Sequence, residues 1–335
     1  MAKYRKLELL DTVVQAVNEC GWNVLYTSDP SEHPFRLRIY KETEGYFLRI
    51  YIWNLTHGGG LKRPKDEYRV QITGIETFQR ALDEKTLILG WWDPAGVFAG
   101  FDYNKHAGTL GLSPSIQIKE DALQKAQTNG FAICDKGNKE IAVAFRPDFF
   151  VTYVRNLEQL HTFGNVRRDF EILEHVAAKP IEVNDEIIQQ VSSPRRSTVQ
   201  TISRHLRDSG FKRRILTAYS NKCAICSLQL KLVDAAHILP VSYEKSTDET
   251  RNGIALCVLH HRAYDLSLVT FDDKYKVHYN QPRLVGLHKI GFDGGADKFV
   301  SDLQKSIYTP QAKNDRPHKD YIIEANKIRG WALAS

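Results

Sequence analysis

Apolar positions along the first 160 or so residues switch between two periods. Residues 3–20 carry Leu7, Leu10, Val13, Val14 and Val17 at helical spacing, and Gly21 stops the pattern. Short apolar runs follow at 35–40, 46–53, 68–72, 87–92, 97–103 and 116–118, which predicts strands. Turn-forming stretches separate them, among them Gly58-Gly59-Gly60 and Asp93-Pro94-Ala95-Gly96. A helix is predicted over 120–128, a hairpin over 131–134 and 140–145 across Lys136-Gly137-Asn138, and a closing helix over 148–161. The class expected is α+β, with a mixed α/β domain over residues 1–164. Residues 165–200 are polar, with Lys179-Pro180 and Ser192-Ser193-Pro194, and read as a linker containing some helix. A second domain is expected over 201–335, with a helix at 211–220 near its start.

Composition narrows the class. At 335 residues, 42% hydrophobic and 26% charged, the chain is neither disordered, nor collagen-like, nor a disulfide-stapled miniprotein. No window approaches the roughly 18 consecutive apolar residues of a membrane span. The N-terminal segment is too charged for the apolar core of a signal peptide, so a cytoplasmic protein without membrane contact is expected. The net charge of +6 is unevenly spread: residues 1–189 hold 23 Lys/Arg against 26 Asp/Glu, and residues 190–335 hold 23 against 14. The second part is therefore the expected face for a polyanion, with Arg195, Arg196, Arg204, Lys212, Arg213 and Arg214 as candidate phosphate contacts.

Three of the five cysteines, Cys223, Cys226 and Cys257, crowd into 35 residues, which in a reducing compartment points to metal ligation and not to disulfides. Cys223-x-x-Cys226 and Cys257-x-x-His260 form two knuckles of soft donors, the donor set of a closed tetrahedral site for structural Zn²⁺. His261 follows His260 directly. Successive helical positions diverge by about 100°, so His260 can close the zinc site while His261 faces elsewhere.

His237, Asn252 and His261 lie between and after these knuckles. They sit in Ala235-Ala236-His237-Ile238-Leu239-Pro240, in Asn252-Gly253-Ile254-Ala255-Leu256-Cys257, and in a histidine-bearing helix that ends near Asp265. Together with the basic helix before Cys223, residues 200–280 resemble the HNH endonuclease family, and are similar to one branch of it, the HNH domains of restriction enzymes and related prokaryotic nucleases. The resemblance implies a zinc-containing ββα-metal nuclease domain at the C-terminal end that hydrolyses DNA phosphodiesters. It implies His237 as general base, His261 as ligand of a catalytic Mg²⁺ or Mn²⁺, and Asn252 as a further ligand or as the residue that fixes the loop orienting His237. The chemistry agrees: an imidazole titrating near neutrality can take a proton from water, and a divalent ion can neutralise the phosphate and the leaving oxygen. Many members of the family carry an Asp or His ligand immediately before the general base, where this chain has Ala236. Asp234, on the same strand, or Asp265, one helical turn after His261, could supply the anionic ligand.

A nuclease core of this kind reads mainly backbone, so the preceding domain should supply targeting. Residues 89–103 are dense in aromatics and glycine, and Trp91 and Trp92 are candidates to wall an unstacked base. Lys62 and Arg63, in a glycine-rich loop, are candidates to touch phosphate. Aromatics in short strands are also the usual material of a core. Three functions are open on these residues. One is an endonuclease of restriction or antiviral-defence type that reads a sequence or a modified base in double-stranded DNA. Another is a defence nuclease released by a small nucleotide signal. The last is a non-catalytic zinc-ribbon DNA-binding protein, against which the His237, Asn252 and His261 set argues, since zinc binding alone has no need of it. One HNH site cuts one strand, so a homodimer is expected for double-strand cleavage.

Overall fold

The computed structural model describes residues 3–57 and 64–333. The chain divides into two compact units, Met1–Arg207 and Asp208–Ser335. In the first, α1 (Lys6–Glu19) precedes β1 (Asn23–Tyr26), β2 (Phe35–Lys41), β3 (Glu44–His57), β4 (Glu67–Gln71), β5 (Glu84–Trp92) and β6 (Val97–Phe101). A short α2 (Tyr103–His106) leads to β7 (Ser115–Lys119), α3 (Glu120–Asn129), β8 (Phe131–Gly137) and β9 (Glu140–Phe145). Then come α4 (Phe150–His161), α5 (Arg167–Ala178), α6 (Asp185–Gln189) and the start of α7 (Ser193–Ala218).

Among the described residues the nine strands of this unit form one sheet, in the order β1-β2-β3-β5-β6-β9-β8, with β4 bridging the end of β3 to β7. The β3–β5 pair is parallel. Both faces are covered, which is why the central strands read as nearly unbroken apolar runs. Along β3, Leu48, Ile50 and Ile52 join one core while Tyr51, Trp53 and Leu55 join the other. Helix α1 gives Leu9, Leu10, Val13, Ala16 and Val17 to the first core, and α3 gives Ala122, Leu123 and Ala126 to the second. Leu7, expected in the buried stripe, is 53% exposed. The set starting at Leu9 and Leu10 makes the wider apolar stripe, and burying it turns Leu7 outward.

Residues 165–200, expected as a linker, fold onto this unit. Helix α5 inserts Phe170, Leu173 and Val176 into the first core. The segment's polar look is the outer face of amphipathic helices, and that face hides their buried stripe when composition alone is read.

In the second unit the end of α7 leads to β10 (Val233–His237), β11 (Gly253–Cys257) and α8 (Val258–Asp265), a ββα succession. Then follow β12 (Val269–Phe271), β13 (Val277–Tyr279), α9 (Gln281–Lys289), α10 (Ala296–Ser301) and α11 (Lys319–Ile328). The core gathers Phe211 and Ile215 from α7, Ile254 and Leu256 from β11, Tyr264 from α8, and Ile322 and Ala325 from α11. Past α11, Arg329 Nη1 donates to the Ile238 carbonyl at 2.8 Å, and its guanidinium lies 4.3 Å over the Tyr264 ring. No helix among the described residues is long and apolar enough to cross a membrane.

Candidate functional site

Strands β10 and β11 pair antiparallel from Val233↔Cys257 to His237↔Gly253. Cys257 and His237 therefore stand at opposite ends of one ribbon, and each end carries its own cluster.

At the cysteine end, Ser227 N donates to Cys223 O at 2.8 Å and Cys223 N to Leu228 O at 2.9 Å, which closes the first knuckle as a tight turn. His260 comes from the first turn of α8. Its Nδ1 lies 3.5 Å from Cys223 Sγ and 3.3 Å from Cys257 Sγ, and Cys226 Sγ lies 3.9 Å from Cys257 Sγ. All four donor atoms fall within 4.8 Å of one another. Bonds of about 2.3 Å to sulfur and about 2.0 Å to nitrogen give a tetrahedron with edges of about 3.8 and 3.5 Å. The three separations just given lie close to those edges, so the cluster could hold a metal such as zinc. Burial opposes ionisation of Cys223, but bonds from His260 and from backbone amides outweigh it and bring the thiol down to about 6. Burial, helped by the neighbouring charge of Cys223, pushes Cys226 up to about 12. A divalent cation would favour all three thiolates together.

At the other end His237 pairs with Gly253. A Cβ on Gly253 would come within 2.9 Å of the Phe211 ring and would also run into Ile215. Glycine at this position therefore lets α7 lie against the ribbon. The Phe211 ring stacks on the His237 imidazole, with centroids 3.8 Å apart and planes 5° from parallel. His237 Nε2 is 2.9 Å from Asp248 Oδ1. Asn252 is wholly buried. Its Oδ1 accepts from Leu239 N at 2.8 Å, and its Nδ2 donates to Ser246 Oγ at 3.0 Å and Thr247 O at 2.9 Å. Of the two roles open to Asn252, these bonds fill the fixing of the loop, since its amide is used up inside it. Phe211 and Asp248 were not singled out from the sequence as partners of His237. Asp248 sits in a run of Ser, Thr, Asp and Glu that looks like any solvated loop.

His261 and Asp265 lie on successive turns of α8, with Nε2 3.9 Å from Oδ2 and both side chains partly open to solvent. Asp234 is instead paired with Lys212 Nζ at 2.5 Å. Among the described residues these groups are not gathered into a second cluster of three or more metal-binding side chains.

The candidate phosphate contacts fall into two kinds. Lys212, Arg213 and Arg214 are exposed on α7 within the second unit, and Arg204 is exposed in the first. Arg214 Nη2 donates to the Asp248 carbonyl at 2.7 Å. Arg195 and Arg196 correct the expectation. Arg195 forms an ion pair with Asp169 at 2.5 Å, the two side chains 12% and 3% exposed, and also donates to Thr162 Oγ1. Arg196 donates to the carbonyls of Val191 and Gln189. Both tie together the helices of the first unit, Arg195 because a carboxylate as buried as Asp169 must be paired, and Arg196 by bonding the backbone just before α7.

Trp91 and Trp92 also differ from the expectation. They are 8% and 4% exposed and point into the two opposite cores of the sheet. The glycine beside them serves packing: a Cβ on Gly90 would lie 2.6 Å from Leu55 and 2.8 Å from Val70. Neither ring is available to wall an unstacked base. Lys62 and Arg63 lie outside the described residues.

Comparison with known proteins agrees with this division. Residues 223–272 match the HNH endonuclease family. Residues 47–154, for which the sequence motifs point to no family, match the family described as Methylase-associated X1. Among solved structures the chain is similar to one titled "Modification dependent TagI restriction endonuclease", with 10% identity over 84% of this chain and 81% of that one, at a TM-score of 0.29. No curated protein matches the chain. The protein thus joins an N-terminal sheet domain to a C-terminal HNH region with a metal-competent Cys₃His cluster.

Proposed function

We propose that the chain is a metal-dependent DNA endonuclease of restriction type, in which the first unit selects the target and the HNH unit cuts it. The setting of His237 carries this reading. Its imidazole is stacked on Phe211 at the end of the ribbon, and the residues after Phe211 on α7 are the exposed cations Lys212, Arg213 and Arg214. Those cations draw in the DNA backbone. His237 then takes a proton from water, the water oxygen attacks phosphorus, and the bond to the 3′ oxygen breaks. Mg²⁺ or Mn²⁺, held by His261 with Asp265, would neutralise charge at the phosphate and on the leaving oxygen. Asp265 suits that role better than Asp234, whose charge is matched by Lys212. Structural Zn²⁺ would occupy Cys223, Cys226, Cys257 and His260.

The first unit, by its likeness to a methylase-associated family, suits the reading of a sequence or a modified base in double-stranded DNA. Two copies, related by a two-fold axis, would cut the two strands. The test is cleavage of modified and unmodified plasmid by the full chain with Mg²⁺ or Mn²⁺ and no added small molecule. Cutting that disappears in His237→Ala supports the reading. Cutting that requires an added nucleotide would favour the signal-released nuclease instead, and an intact plasmid under every condition would leave the zinc-ribbon DNA-binding protein.

A further inference from the structure

We infer that Asp248 is the positioning residue of the general base: it holds His237 in the tautomer with hydrogen on Nε2, so that Nδ1 is the nitrogen that receives the proton from water. The inference rests on the nuclease reading of His237 and adds a residue that neither the motif nor the family match assigns.

The argument starts from hydrogen-bond chemistry. An ionised carboxylate only accepts, so an imidazole nitrogen 2.9 Å from Asp248 Oδ1 carries the hydrogen, and the other nitrogen keeps its lone pair. The ring's plane is set independently by Phe211, nearly parallel at 3.8 Å. Stacking alone permits rotation within the plane and a flip of the ring. The bond to Asp248 removes both freedoms.

Asp248 is itself held from several sides. Arg214 Nη2 donates to its backbone carbonyl at 2.7 Å. Before it in the chain, Ser246 and Thr247 are tied to the buried Asn252 amide. After it, Asn252 N donates to Glu249 O at 2.9 Å. Asn252 thus acts on His237 through the loop that presents Asp248, which gives the asparagine of the motif a task without metal ligation. An orienting partner on the second nitrogen of a working histidine fixes the tautomer and supports the imidazolium that forms. In the reaction one O–H bond of water breaks and its proton goes to Nδ1. The water oxygen bonds to phosphorus as the bond from phosphorus to the 3′ oxygen breaks, and that oxygen takes a proton from solvent.

The test compares the full-length wild-type protein with Asp248→Asn, Asp248→Glu and Asp248→Ala. Asparagine keeps the size but can donate its amide hydrogen to Nε2, which permits the wrong tautomer. Nitrogen-15 NMR of histidine-labelled protein should show His237 with hydrogen on Nε2 in the wild type, and a shift toward hydrogen on Nδ1 in Asp248→Asn. Single-turnover cleavage by Asp248→Asn should fall by about 10²- to 10⁴-fold. The DNA and Mg²⁺ concentrations needed for half-maximal rate should stay near wild type, and Asp248→Glu should recover part of the loss. Hydrogen on Nδ1 in the wild type, or wild-type turnover in Asp248→Asn, overturns the inference. So does a turnover loss that high Mg²⁺ restores, since Asp248 would then be a metal ligand. If the wild type cuts no DNA, the nuclease reading fails on its own, while the NMR comparison still decides whether Asp248 sets the tautomer.

Discussion

The two ends of the β10–β11 ribbon show how one short hairpin can serve two purposes. At the Cys257 end four donors point inward, three of them buried, and they converge on one point. At the His237 end Asn252 is buried inside its loop, while the imidazole stays partly open, held by an aromatic face and a carboxylate. The first arrangement trades exposure for folding free energy. The second leaves an imidazole able to meet water, and depends on packing from α7 and the 239–252 loop for its order. Convergence therefore marks the metal-competent cluster, and restraint of one partly open imidazole marks the other end.

The comparison breaks most visibly at the closed end. Cys257→Ser should abolish bound zinc and unfold the second unit, since a structural zinc site contributes on the order of 10 kcal/mol in small domains. Elemental analysis and thermal unfolding check this, and a well-folded wild type free of zinc would contradict it. At the open end, His237→Ala should lower cleavage by about 10²- to 10⁴-fold while zinc content and DNA affinity stay near wild type. Raising the pH should recover part of the rate, because hydroxide can then replace the missing base. Full activity of this variant at pH 7 would remove His237 from the mechanism.

A second contrast, between arginines of like sequence context, is smaller in effect. Arg195→Ala should destabilise the first unit by about 3 kcal/mol or more, since it strands the buried Asp169. Denaturant unfolding measures it. Neutralising Arg213 and Arg214 together strands no buried carboxylate and should cost less stability than Arg195→Ala. It should instead weaken binding to all DNA sequences alike and lower the salt dependence by about one unit for each phosphate no longer neutralised. Were Arg195→Ala to change DNA affinity with no loss of stability, its assignment to the helix packing would be wrong.

These cases mark what could be read from the chain itself. The metal cluster was legible because ligand spacing within knuckles is local and few folds tolerate it by accident. His237 and His261 were singled out through the motif around them. Phe211 and Asp248 were not, because their contacts with His237 depend on how α7 docks and how Asn252 shapes a loop, and neither leaves a local pattern. Trp91 and Trp92 had two readings because a strand buried on both faces loses the alternation that separates inside from outside. Arg195 looked like its exposed counterparts because its partner Asp169 belongs to another helix, 26 residues away in sequence.

Arg329 adds a matter of timing. It is synthesised 91 residues after Ile238, whose carbonyl it grips beside His237. The ribbon ends at Cys257, so at translation rates of about 5–20 residues per second it is complete roughly 4–14 s before that clamp exists. The His237 end of the ribbon is thus completed well after the first unit, Met1–Arg207, has been synthesised.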